Sequence, residues 1–225
     1  MAWPKSLEPR QRRLVAWAVA CVMLLWAAGN LYLKPLSGLG LGLFWGVDFA
    51  RWVVLPLGLM MLLSDAQVRP GDYGLALDGL FHRWFLPVAV LASLTTILIY
   101  FPAYQLLWDL FDQPTGYFNY PDLFPSGWGR DLLWIYSAVT AGVVESIFFI
   151  GLPWLLYANL RKSPSRLLFT LVISVIFALI HWKGGPHLVG GAFLSHLVGC
   201  FWYFRRGNLW PVIVAHTSLD LIAFS

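Results

Sequence analysis

The sequence predicts an all-α fold: a polytopic bundle of about seven membrane-spanning helices, N-terminus in the cytoplasm and C-terminus outside. Three observations lead there. Of 225 residues, 59% are hydrophobic and only 12% are charged, about half the charged share of a soluble domain. The 13 Trp, 9 Tyr and 16 Phe suit aromatic belts at two membrane interfaces. Lys and Arg fall in short clusters between apolar runs, with a marked sidedness. This composition excludes an ordinary soluble domain, and it excludes disorder, which needs low hydrophobicity. The net charge of +4 is no nucleic-acid footprint, because its carriers are scattered between spans. No nucleic-acid partner is expected, and the lipid bilayer is the surrounding medium. Cys21 and Cys200 lie in apolar stretches and give neither metal-ligand spacing nor a disulfide framework.

A span needs about 20 apolar residues. The candidates are Leu14–Leu33, Leu39–Leu63, Trp84–Leu107, Leu132–Leu160, Leu167–Trp182, Leu188–Phe204 and Leu209–Phe224, the last three being short. Arg10, Arg12 and Arg13 precede the first span as in a signal peptide. Its apolar run is long, however, and Ala27-Ala28-Gly29 is a poor cleavage site, so it reads as a retained anchor. The whole chain, 1–225, reads as one integral domain, with three N-terminal spans in 14–107 and a core in 132–225. With the N-terminus inside, the inner segments carry eleven Lys or Arg and the outer ones three, Lys34, Arg130 and Lys183. The positive-inside rule fixes the orientation. The outer loop Trp108–Asp131, rich in Pro, Gly, Asp and aromatic residues, is placed to cap the outer face. Ser163-Pro164-Ser165 marks an inner turn, and Gly207-Asn208 with Pro211 ends one helix and starts the next.

Ionisable residues inside spans cost at least about 2.5–3.5 kcal/mol at the centre and point to function by default. Here they are Asp48, Arg51, Glu145, His181, His196, His216 and Asp220. The chain has two glutamates, Glu8 in the N-terminal tail and Glu145 in the middle of the fourth span. His216 and Asp220 are four apart and share a helix face, as do Phe177 and His181. Counted from the inner ends at about 1.5 Å per residue, Glu145 lies about 24 Å along its span, His181 about 22 Å, His216 about 12 Å and Asp220 about 18 Å. All four can occupy the middle and outer half of a core about 30 Å thick.

Three motifs in order then give a resemblance. Glu145-Ser146-Ile147-Phe148-Phe149-Ile150-Gly151 resembles the Glu-Glu-x-x-Phe-Arg-Gly motif of the CAAX protease and bacteriocin-processing (CPBP) family of intramembrane endopeptidases. Phe177-Ala178-Leu179-Ile180-His181 is similar to its Phe-x-x-x-His motif, and His216-Thr217-Ser218-Leu219-Asp220 to its His-x-x-x-Asn/Asp motif. The resemblance covers roughly Leu132 to the C-terminus, and the first three spans carry nothing diagnostic. Ser146 stands where the family has a second Glu, and Ile150 where it has Arg.

The resemblance implies a glutamic peptidase with no cofactor and no obligatory metal. Glu145 would be the general base on a water. His181 would hold that water or protonate the leaving amine. His216 would stabilise the oxyanion, and Asp220 would orient His216. Ser146, Phe149, Phe177 and Arg51 would support the site or bind substrate. The substrate implied is a membrane-anchored protein or peptide. The outer-half depth of the residues predicts a cut toward the extracytoplasmic face, and the location expected is a bacterial inner (cytoplasmic) membrane. Arg51 could replace the guanidinium missing at Ile150, but Asp48 and Arg51 are three apart and can pair, which favours a structural role. His187 and His196 match no motif and read as packing residues, and no zinc spacing occurs. Ser146 has no neighbouring base and does not read as a nucleophile. Two other classes compete: a non-catalytic binding or immunity protein of the same fold, favoured by the changes at Ser146 and Ile150, and a small proton-coupled transporter, which lacks the expected repeat symmetry.

Overall fold

A computed structural model describes residues 5–111 and 123–224. Among these residues the regular structure is entirely helical. Helix α1 (Pro9–Leu39) opens on a capping box, in which the Glu8 amide donates to Gln11 Oε1 at 2.9 Å. Gly40 separates it from α2 (Leu41–Phe49), which runs through a π turn, Ala50–Val54, into α3 (Leu55–Asp65). Helix α4 is Phe85–Leu110. Helix α5 (Trp128–Ser146) runs through a second π turn, Ile147–Gly151, into α6 (Leu152–Leu160). Then follow α7 (Arg166–Leu179), α8 (Gly185–Arg206) and α9 (Trp210–Ala223).

Among the described residues, five stretches are long and apolar enough to cross a membrane: Pro9–Gly29, Leu41–Asp65, Phe85–Leu110, Gly129–Leu160 and Trp182–Arg206. The bundle is therefore an all-α membrane fold. Of the seven expected spans, two fall short of spanning length. Helices α7 and α9 have 14 residues each, about 21 Å at 1.5 Å per residue, against a core of about 30 Å. Helix α7 stops at Leu179, so His181 sits in a turn rather than on a span. The reason is local. Gly184, Gly185 and Pro186 break the helix and start α8 three residues before the expected Leu188. The capping signals behave as the sequence indicates. Ser165 Oγ accepts from the Leu168 amide at 3.2 Å, and Asn208 Oδ1 accepts from the Trp210 amide at 2.9 Å. The expected outer cap, Trp108–Asp131, falls partly on residues 112–122, outside the described residues.

The rod Gly129–Leu160 is the centre of the bundle. Of its most apolar 18-residue stretch, 78% is buried, against 22% to 44% for the other four rods. Phe148, Phe149, Leu152, Trp154 and Leu155 are fully buried there. Helix α4 packs on α8 and α9, α5 on α9, and α7 on α8. The apolar side chains left exposed on α3, α4 and α7, such as Leu57, Leu98 and Leu171, form the periphery that faces lipid. One end of the bundle is tied by polar contacts. Asn159 Oδ1 accepts from the Leu7 amide at 2.7 Å, its Nδ2 donates to the Lys5 carbonyl at 3.0 Å, and Lys5 Nζ donates to the Gln67 carbonyl at 2.6 Å.

Where α5 and α9 cross, Gly142 lets the backbones touch, as small residues do between membrane helices. A Cβ there would stand 2.9 Å from the Thr217 amide nitrogen and 3.1 Å from the Ile213 carbonyl oxygen. Gly142→Ala is therefore expected to wedge the two helices apart. The thermal midpoint in detergent should fall, and a smaller loss is expected for Gly58→Ala, where an added Cβ meets nothing within 4 Å.

Candidate active site

The crossing at Gly142 brings together two residues that are distant in sequence. Glu145 lies one turn past Gly142 on α5, and His216 stands beside Thr217 on α9. Their side chains meet, with His216 Nε2 3.5 Å from Glu145 Oε2. One turn on, Asp220 Oδ2 is 3.6 Å from the same nitrogen. The other Glu145 oxygen is also engaged: the Trp26 indole Nε1 donates to Oε1 at 3.2 Å. Glu145 is only 6% exposed, so both its oxygens find partners inside the bundle rather than in solvent.

A second set of groups surrounds Phe177. Its ring centroid is 4.7 Å from that of His181, 4.4 Å from that of His196 and 6.1 Å from that of His216. Phe149 packs edge-on beneath it at 5.4 Å. His181 Nδ1 donates to the Phe177 carbonyl at 2.7 Å. In the neutral ring this leaves Nε2 as an acceptor. The His196 ring is fixed through Nδ1, 2.9 Å from Ser174 Oγ.

A cavity opens between these groups, lined among others by Thr96, Glu145, Ser146, Phe177, His196 and His216. It leaves about 20 Å³ for the centres of water-sized molecules. One water needs roughly 10–15 Å³ on that measure, so a water fits beside Glu145. Ser146 is 1% exposed, and its Oγ has no hydrogen-bond partner among the described residues. A buried hydroxyl on a cavity wall is a ready contact for a polar ligand. Among the described residues no three His, Cys, Asp or Glu side chains are placed to hold a metal ion.

The structure thus brings Glu145, His216 and Asp220 together and places Phe177, Phe149 and Ser146 around them. His181 stands against Phe177, in the turn after α7. Arg51 is buried on the far side of Trp26, its Cζ 4.2 Å from that ring's centroid. Asp48 accepts from the Tyr136 hydroxyl at 3.2 Å. So both members of the expected Asp48–Arg51 pair have partners on other helices. Two neighbours were not legible as site residues. His196 matches no motif, although an imidazole inside a span was a signal that could have placed it here. Trp26 is one of 13 tryptophans, on a span that looked undiagnostic, and no local signal sets it apart.

Fold and cavity define a class: a polytopic helical membrane protein with an acid and an imidazole facing each other inside the bundle. Residues 127–222 match the family model described as type II CAAX prenyl endopeptidase Rce1-like. Over that segment the chain is similar to this family, which is part of the CPBP group. No curated protein and no solved structure matches the chain. The matched segment holds Glu145, His181, His216 and Asp220, and it excludes Trp26 and Arg51.

Phe177 is the shared packing surface of three imidazoles, so its removal should loosen all of them. Phe177→Ala is expected to destabilise by about 3–5 kcal/mol, as large-to-small core changes do. Unfolding in detergent measures this, and Phe177→Leu should recover most of the loss.

Proposed function

We propose that this protein is an intramembrane endopeptidase in which Glu145 activates a water to hydrolyse a peptide bond of a membrane-anchored protein. The observation that carries the reading is the approach of Glu145 and His216 to 3.5 Å beside a cavity that admits a water. Catalytic contacts of this length tighten when substrate binds.

Glu145 takes a proton from the water as its oxygen attacks the scissile carbonyl carbon. The carbonyl π pair moves onto oxygen, and the resulting oxyanion accepts a hydrogen bond from His216 Nε2–H. Asp220, next to the same nitrogen, favours the tautomer that carries this proton. His181 holds that water or passes a proton to the leaving amine. The tetrahedral intermediate collapses as the C–N bond breaks, and the proton taken by Glu145 passes to the leaving amine. Ser146 Oγ meets a backbone group of the bound peptide. An oxyanion donor of this kind is worth about 2.7–4 kcal/mol of barrier. No cofactor enters this scheme.

The distribution of Lys and Arg supports an N-terminus inside and a C-terminus outside, and the membrane proposed is a bacterial inner membrane. With the depth of Glu145 along its rod, this favours cleavage near the extracytoplasmic face. The competing reading is a binding or immunity protein of the same fold. Its support is Ser146 and Ile150, at positions where the family motif has Glu and Arg.

Glu145→Gln is expected to lower cleavage of a membrane-anchored substrate by about 10²–10⁴-fold, the usual contribution of a general base. Purified wild type and variant in liposomes provide the comparison, and equal biological activity would favour the binding protein. The cut side follows from protease protection of a doubly tagged substrate. Release on the extracytoplasmic side is expected. Release on the cytoplasmic side, as with a prenylated cytosolic tail, would overturn the outer-face assignment.

A further inference from the structure

Glu145 has one hydrogen-bond donor that comes from outside the family-matched segment. Trp26, on α1, is 3% exposed and donates its indole N–H to Glu145 Oε1 at 3.2 Å. A cation lies on the face of the same ring. Arg51 Cζ is 4.2 Å from the Trp26 centroid and 5.4 Å from that of Trp52, and the two indoles meet edge to face at 4.5 Å. Arg51 is 7% exposed, and its Nε has no hydrogen-bond partner among the described residues. A buried guanidinium so placed is stabilised by the ring faces. In return it draws electron density from the indole and strengthens its N–H as a donor, the polarisation of linked polar groups in a low dielectric.

Two features of the backbone make room for this stack. Gly29 lies one turn beyond Trp26 on the same face of α1. A Cβ at Gly29 would stand 3.0 Å from Arg51 Cζ. Arg51 itself sits in the π turn Ala50–Val54, a helix irregularity that recurs at functional sites.

We propose that Trp26 is a positioning residue for Glu145, and that Arg51, seated against Gly29, acts on the site through the Trp26 ring. This rests on the peptidase reading above. Trp26 holds one carboxyl oxygen, which leaves the other turned toward His216 and the cavity. The two N-terminal rods are then part of the catalytic centre and not merely its membrane anchor.

The test compares wild type, Glu145→Gln, Trp26→Phe, Gly29→Ala and the Trp26→Phe/Gly29→Ala double variant, all full-length in liposomes with a membrane-anchored substrate. Trp26→Phe keeps an aromatic ring for Arg51 and removes only the donor. It is expected to lower kcat about 10- to 100-fold, the range for losing a hydrogen bond to a charged group, with KM within twofold. Gly29→Ala should lower kcat by a smaller factor. The double variant should fall no further than Trp26→Phe alone, because Arg51 acts through the donor that is gone. A kcat unchanged in Trp26→Phe, or losses that multiply in the double variant, would overturn the proposal. If Trp26→Phe does not fold, Gly29→Ala decides, and an unchanged kcat there would overturn it. A second readout needs no turnover. The infrared carboxyl band of Glu145, isolated as the difference between wild type and Glu145→Gln, should shift in Trp26→Phe, and an unshifted band would refute the contact. Equal cleavage by wild type and Glu145→Gln would overturn the peptidase reading, while the band still tests the positioning.

Discussion

A carboxyl group buried in an apolar bundle must be met by other polar groups, and in this protein that constraint falls on Glu145. An unpartnered charge there would cost far more than a single domain's stability allows. The answer is spread over three elements. Helix α1 brings an indole N–H to one oxygen, helix α9 brings an imidazole to the other, and α5 carries the carboxyl between them. None of these contacts forms unless the helices approach closely. The crossing at Gly142 therefore governs the site as much as the side chains do.

An apolar sequence makes its own polar residues conspicuous. That is why Glu145, His216 and Asp220 could be picked out and why they meet in space. The long rods were legible for the same reason, since composition alone marks a stretch such as Phe85–Leu110. What stayed hidden depends on tertiary contact. The end of α7 at Leu179 is set by the Gly-Gly-Pro turn, which puts His181 off the helix while keeping its ring on Phe177. Trp26 had no periodic or motif signal, because a tryptophan in a membrane helix is ordinarily an interface anchor. Asp48 and Arg51 looked like a local pair, yet Asp48 accepts from Tyr136 on α5 and Arg51 lies over Trp26 on α1. Spacing along one helix names the neighbours a residue could have, and packing decides which neighbours it takes.

The family-matched segment, 127–222, does not hold its central carboxyl by itself. The N-terminal tail reaches it at a second place as well, through the contacts of Asn159 with Lys5 and Leu7 at the end of α6. The rod α5–α6 is thus clasped near its middle by Trp26 and at its end by the tail. A charged centre needs fixed geometry to act, and two separated contacts restrain a rod against both tilt and rotation.

The π turns Ala50–Val54 and Ile147–Gly151 add one residue each to otherwise regular rods. In an α-helix each residue turns the chain by about 100°. Deleting a single amino acid at either place could therefore heal the rod into plain α-helix without breaking it. The halves on either side would then keep their stripes facing as before, because the π turn had absorbed the extra residue within a single turn. What changes is the placement of side chains inside the turn itself, and at Ala50–Val54 that side chain is the guanidinium of Arg51. A one-residue change of length is thus absorbed by the rods and felt only where the turn itself carries a side chain of the interior.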